Sequence, residues 1–224
     1  MSQKTNPISF RLGLSQVWNA SIASYGKSFT FYQKNNLENY LKYLFTSEGL
    51  HLGKILWSFD SKRILLIITY LEFPRTSNKQ KHLTNKLNKN LFSLFKLPLK
   101  VYLFKHSIWS SSSEFIKSYI STNVNESISL KQILRSVSKI ISVQLKTKKV
   151  VYTCKGPLTL KLKGFKIKSS GRFANSRNQM SKTIKHSGGC LPLPKINSHV
   201  EYTQSAIYTK LGICSLHIWL VYSY

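Results

Sequence analysis

The residues of this chain best placed to do chemistry are lysines and arginines, and their spacing points to anion binding. In Lys163-Gly164-Phe165-Lys166-Ile167-Lys168-Ser169-Ser170-Gly171-Arg172-Phe173, apolar and basic residues alternate. An extended strand would turn Phe165 and Ile167 to one side and Lys166 and Lys168 to the other. Arg172, Arg177, Lys182 and Lys185 follow in a basic segment, Gly171 to His186, that reads as irregular. No Asp or Glu falls between Glu126 and Glu201, so the basic side of the strand has no local counter-charge and faces either a polyanion or water. A second set, Lys131, Arg135 and Lys139, recurs at i,i+4 and would form a ridge along one helix face, with a plain solvated face as the alternative. A third lies in the polar arm Ser2 to Leu14, punctuated by Asn6-Pro7 and Gly13. There Lys4, Arg11 and the backbone around them either lie on phosphates or belong to a frayed terminus.

Catalysis finds no comparable pattern. An enzyme needs a converging nucleophile, base or metal set. His186 and Cys190 stand beside Gly188-Gly189 without a third helper, and the seven acids are too sparse for a carboxylate-held two-metal site. Cys154, Cys190 and Cys214 are odd in number and widely spaced, without a C-x-x-C. They indicate neither a disulfide framework nor zinc, and read as buried free thiols. No catalytic residue, metal or cofactor is assigned.

The composition agrees with a polyanion partner. Among 224 residues, 34 Lys+Arg oppose 7 Asp+Glu, a formal charge of +27. The chain is 42% hydrophobic and 12% aromatic, too apolar for a disordered tail, so the charge must sit on folded surface, where it repels itself unless neutralised. Nucleic acid suits this role, because each neutralised phosphate releases counterions. An anionic membrane surface is the rival and would require an amphipathic helix with its apolar face in lipid. Membrane insertion is not expected: the longest apolar run, Ile64 to Leu71, is far shorter than the roughly 20 residues of a spanning helix. No apolar signal segment follows Met1.

The elements that must position these residues fall into two groups. Leu37, Tyr40, Leu41, Leu44 and Phe45 have helical spacing, and Gly49 supplies a stop. Ile55, Trp57 and Phe59 alternate, Asp60-Ser61 turns, and Arg63 to Leu71 reads as a second strand. After a polar stretch from Pro74 to Gln80, Leu83, Leu87, Leu91, Leu94 and Phe95 mark a helix ended by Pro98, and Leu99 to Lys105 a third strand. This is the element order of a KH-type module, but no glycine occurs between Gly53 and Gly156. The Gly-x-x-Gly clamp of such modules is therefore missing or replaced by Arg75, Lys79 and Lys81. Trp109 and Ser110 to Ser113 read as a linker. Beyond it, Leu130, Ile133, Leu134, Val137, Ile140, Ile141 and Leu145 predict a helix over about 129–146. A strand starts near Val150 to Tyr152. Leu158, Leu160 and Leu162 then alternate until the phase shifts across Gly164, which predicts a bulge or bend. Leu216, Ile218, Leu220 and Tyr222 form a closing strand, with His217 and Trp219 on its other face.

Three separated motifs carry a family resemblance. Gln3-Lys4-Thr5-Asn6-Pro7-Ile8-Ser9-Phe10-Arg11-Leu12-Gly13 resembles the opening Q-K-x-N-P-x-G-x-R-x-G of small-subunit ribosomal protein three, with Ser9 in place of a glycine. Lys163 to Phe173 is similar to its K-G-I-x-I-x-x-S-G-R-L. Val200-Glu201-Tyr202 through Ala206, Tyr208 to Ile213 and Ile218-Trp219 are similar to its closing motif, with Leu211 replacing a tyrosine. Ala174-Asn175 stands where glycines are common in the family.

The resemblance implies an α+β protein: an N-terminal arm (1–20), a KH type II-like domain (21–110) and a C-terminal α/β domain with a mixed or antiparallel sheet (111–224). It implies a structural constituent of the small ribosomal subunit, on rRNA and beside neighbouring proteins of the head, lining the channel by which mRNA enters. The rRNA-binding residues would be Lys4, Asn6, Arg11, Lys166, Lys168, Arg172, Arg177, Lys182 and Lys185. The mRNA channel would take Lys131, Gln132, Arg135 and Lys139, Gln132 departing from the family's basic residue. A free-standing KH-type RNA regulator and a cationic membrane-surface protein are the rival readings. Lys, Asn, Ser, Ile, Phe and Tyr in excess, four alanines and a start directly at the family motif favour an organelle-encoded protein, and the divergence from the bacterial pattern favours mitochondrion over plastid.

Overall fold

Leu37, Leu41, Leu44 and Phe45 fall on one stripe of helix α1 (Ser28–Ser47), and that stripe is buried. The computed structural model describes residues 5–22, 28–60, 63–72, 99–125, 129–154, 156–173 and 180–223. It divides the chain into two compact units, Trp18–Trp109 and Met1–Val17 with Ser110–Tyr224. The arm thus belongs to the same unit as the C-terminal half. Lys4, Arg177, Ala174-Asn175, the expected helix with Leu83 to Phe95, and Arg75, Lys79 and Lys81 lie outside the described residues.

In the Trp18–Trp109 unit, the stripe of α1 packs on Trp57 and Phe59 of β2 (Leu50–Phe59) and on Ile64, Leu66, Ile68 and Tyr70 of β3 (Ile64–Glu72). Each fully buried side chain of this size contributes about 1.5–3 kcal/mol, so the alternation of β3 is the main reason it lies flat against the helix. Gly49, at φ +72, ends α1 in a conformation that a side chain disfavours. The sheet runs β1 (Ala20–Ile22), β2, β3, β4 (Leu99–His106). β1 is parallel to β2, β2 antiparallel to β3, and β3 parallel to β4.

The other unit lays two helices, α2 (Ser113–Asn125) and α3 (Leu130–Val143), on one face of an antiparallel sheet. Its strands are β5 (Lys148–Thr153), β6 (Gly156–Gly171), β7 (Lys182–Gly189), β8 (His199–Thr209) and β9 (Gly212–Ser223). The order is β5-β6-β9-β8; β7 pairs with β6 beyond β5. Leu130, Ile133, Leu134, Val137 and Ile141 of α3 are buried with Phe165 and Ile167 of β6 and Leu216, Ile218 and Leu220 of β9. The α+β class therefore holds, with one mixed and one antiparallel sheet.

The phase shift at Gly164 is a bulge: the β6–β9 register slips between Leu162 and Gly164. One extra residue lets Leu160 and Leu162 before it, and Phe165 and Ile167 after it, all face inward. Gly164 also admits the backbone of Cys190, whose N–H donates to the Lys163 carbonyl; a methyl at 164 would collide with the Cys190 carbonyl.

One expectation is refined and two are corrected. The linker expected at Ser110 to Ser113 falls where the two units divide, and it is a 3-10 turn (Trp109–Ser111) running into α2, whose first N–H, from Ser113, is taken by the Glu201 carboxylate 88 residues away. The segment to His186 is not irregular throughout: from Lys182 it is β7, its register imposed by Gly164–Gly171 of β6. Of the three cysteines only Cys214 is buried, while Cys154 and Cys190 are exposed.

Candidate nucleic-acid interface

Because side chains alternate along a strand, the face of the second sheet turned away from α2 and α3 collects every other residue. Its registers give two cross-strand rows: Ser187, Lys166, Trp219 and Tyr202, then Lys185, Lys168, His217 and Gln204. All of these but Ser187 line an open cleft of about 1070 Å³, with Asn6, Pro7 and Phe10 of the arm and Leu191, Leu193 and Pro194 as walls. Lys168 and Lys185 sit directly opposite each other, a like-charged pairing that costs stability unless an anion bridges it. No Asp or Glu lines the cleft among the described residues.

Beside the lysines stand three rings. Tyr202 and Trp219 have centroids 5.3 Å apart, His217 and Trp219 5.7 Å at 15°, and Tyr202 and His217 6.2 Å at 21°. The Lys166 ammonium lies 5.6 Å from the Trp219 centroid, a cation–π distance. Tyr202 donates its hydroxyl to Gln204 Oε1 at 3.1 Å, so the 2.9 Å contact with His217 Nδ1 is a hydrogen bond from the imidazole to the phenol oxygen. Burial, and then the nearby Lys168 charge, push the His217 pKa down and favour this neutral ring.

Asn6 and Arg11, both in the cleft lining, also hold the arm in place. Asn6 Oδ1 accepts the Ile8 N–H at 3.0 Å and holds the turn that starts the arm. Arg11 is fully buried. It donates to the carbonyls of Ser198 (2.8 Å), Pro7 (2.9 Å), Leu193 (2.5 Å) and Lys195 (2.7 Å), and to Ser198 Oγ at 3.2 Å. These acceptors engage the Nε hydrogen, both Nη2 hydrogens and one of the two on Nη1. Within the protein Arg11 clamps the arm onto the loop before β8, aided by Gln16 Nε2 on the Val200 carbonyl at 2.6 Å.

The remaining basic residues are dispersed. Arg172 is half-buried at the end of β6, and Lys182 is exposed at the start of β7. Lys131, Gln132, Arg135 and Lys139 are all exposed on α3, which covers the opposite face of the sheet, so ridge and cleft are separate surfaces. Gln132 accepts the Ser129 hydroxyl at 2.6 Å, tying its amide to the helix start. Of the apolar stripe of α3, Leu130, Ile133, Leu134, Val137 and Ile141 are buried, while Ile140, expected on it, is exposed.

One acid orders the inner face. Glu201 Oε1 pairs with Lys149 Nζ at 2.6 Å, and Lys149 also reaches the Ser111 carbonyl at 2.5 Å. Burial pushes the Glu201 carboxyl up, but Lys149, His199 and the Ser113 N–H outweigh it and hold the group below the usual carboxylate range. Tyr222, buried against this carboxylate, is pushed well up. Glu201 thus fixes α2, and its charge is engaged on the inner face rather than in the cleft. Sequence reasoning missed Tyr202 and Gln204 as site residues and left His217 and Trp219 without a role. Large rings on the polar side of an alternating strand were the available signal.

Among the described residues no three metal-ligating side chains cluster, and no helix is long and apolar enough to cross a membrane. Fold and site define a structural protein that presents two cationic surfaces, one of them lined with aromatic rings. No family model matches the chain. It is 36% identical over 232 residues to small ribosomal subunit protein uS3m of Chondrus crispus, covering 100% of this chain and 95% of that protein. It is 25% identical to uS3 of Pelagibacter ubique (98% and 89% covered) and 22% identical to uS3c of Gracilaria tenuistipitata var. liui (98% and 94%). The chain belongs to the uS3 family of small-ribosomal-subunit proteins, a structural, non-enzymatic ribosomal family, and its compartment is the mitochondrion.

Proposed function

We propose that this protein binds small-subunit rRNA in the head of the mitochondrial ribosome through the cleft face of its second sheet, with Arg172, Arg177, Lys182 and Lys185 extending the contact and Lys4 continuing it along the arm. The carrying observation is the cross-strand pair Lys168 and Lys185, beside Lys166, in a cleft lined by no carboxylate among the described residues. Such a surface neutralises phosphates and gains affinity from counterion release. The α3 ridge, Lys131, Arg135 and Lys139 with Gln132 between them, lines the channel by which mRNA enters. Neighbouring head proteins are its other partners. The Trp18–Trp109 unit is a KH type II-like domain. Its helix, antiparallel pair and parallel last strand support that reading, and without a Gly-x-x-Gly loop it serves for docking rather than reading RNA.

The test is incorporation. Chains carrying Lys166→Gln, Lys168→Gln and Lys185→Gln together should be depleted from small subunits washed through high salt, while the wild type co-sediments. Equal retention of the triple variant would refute the cleft as an rRNA contact.

A further inference from the structure

Lysines alone would suffice for phosphates, and the cleft holds more. The His217 ring is stacked with Trp219 at 15° and with Tyr202 at 21°, Tyr202 and Trp219 are tilted by 35°, and all three lie within 5.3–6.2 Å of one another on the solvent side of a sheet whose opposite face carries the core. Rings spent on packing belong with that core; these are half-exposed and floor an open cleft. Their orientation is fixed by the Tyr202–Gln204 and His217–Tyr202 hydrogen bonds and the Lys166–Trp219 contact, so a planar ligand meets a preset surface. One row away, Lys168 and Lys185 oppose each other, and among the described residues no acid lines the cleft.

From this juxtaposition we propose that the cleft is a subsite for one unstacked nucleotide of single-stranded RNA, its base laid against the Tyr202–His217–Trp219 array and its flanking phosphates on Lys168 and Lys185. The proposal rests on the RNA-binding reading above and adds the conformation of the RNA: a looped-out or single-stranded residue, since a base within a duplex cannot offer its face. Every base has a π-face, so the subsite tolerates sequence, while Lys168 and Lys185 make it salt-dependent.

The purified full-length chain should be titrated, over a range of salt, with a ten-nucleotide single-stranded RNA, an abasic ribose-phosphate decamer of equal charge and a ten-base-pair RNA duplex. Stacking of one base corresponds to roughly tenfold in affinity at 1.4 kcal/mol per decade. We expect the abasic decamer to bind wild-type protein about tenfold more weakly than the RNA, a comparison that needs no mutant to fold. Trp219→Leu should weaken single-strand binding about tenfold, leave the duplex unchanged and preserve the salt slope, and Trp219→Phe should restore most of the loss. Lys168→Gln with Lys185→Gln should lower the salt slope by about 1.4, near 0.7 for each single-strand phosphate that the variant no longer neutralises. Equal binding of the abasic decamer and the RNA would overturn the stacking subsite and leave RNA binding standing. Absence of salt-dependent binding to all three probes would overturn both.

Discussion

Replacing Arg11 with leucine separates a buried clamp from a phosphate ligand. The guanidinium donates to four carbonyls, of Pro7, Leu193, Lys195 and Ser198, inside the protein. Hydrogen bonds from a charged donor contribute about 1.5–3 kcal/mol each, so even at the lower end four of them sum to about 6 kcal/mol. The loss should fall short of that, because a lifted arm lets water reach the freed carbonyls. What then disappears is the docking of the arm, including the Gln16–Val200 and Ser15–Ile196 bonds, and we expect about 3 kcal/mol. Urea unfolding of RNA-free protein, followed by far-ultraviolet circular dichroism, should show a midpoint lower by roughly 1.5 M at a slope near 2 kcal/mol/M. Arg11→Lys should recover less than half, since one ammonium cannot span four carbonyls held in a fork geometry. An RNA-free loss below about 0.5 kcal/mol, with weakened RNA binding instead, would refute the clamp and return Arg11 to the phosphates.

Glu201→Gln leaves Lys149 without its carboxylate and loosens the start of α2; thermal and urea unfolding should report a loss of about 2 kcal/mol near neutral pH. The Glu201 pKa is depressed in the folded state, so its contribution is complete above the ordinary value of 4.5 and fades as pH falls through the folded value. The wild type should therefore lose stability below about pH 4.5 more steeply than Glu201→Gln, and parallel curves would contradict the pairing. Gly164→Ala drives a methyl into the Cys190 carbonyl and should cost about 1–3 kcal/mol by calorimetry, whereas Gly13→Ala meets open space and strains only its φ of +82. Lys131→Ala with Arg135→Ala should slow translation of structured messages more than unstructured ones and leave subunit assembly nearly intact; an equal effect on both message types would remove α3 from the mRNA channel.

What the sequence determined by itself was whatever is written locally. The stripe of α1, the alternation of β3 and β9, the stripe of α3 and the phase shift at Gly164 are period-2 and period-3.6 signals that burial obeys. The scarcity of acid around Lys166 and Lys168 was equally legible, because charge composition needs no fold. Tertiary structure alone decided the rest, through contacts between residues far apart in the chain. α2 starts at Ser113 because a carboxylate at position 201 receives its first N–H, and β7 exists because β6 offers an edge to a segment with little pattern of its own. Arg11 looked like an exposed cation in a polar arm, yet the loop before β8 supplies carbonyls enough to bury it. The aromatic array needed three registers at once. Tyr202 and Trp219 become neighbours only when β8 pairs with β9, and Lys166 joins them only when β6 takes the other edge of β9.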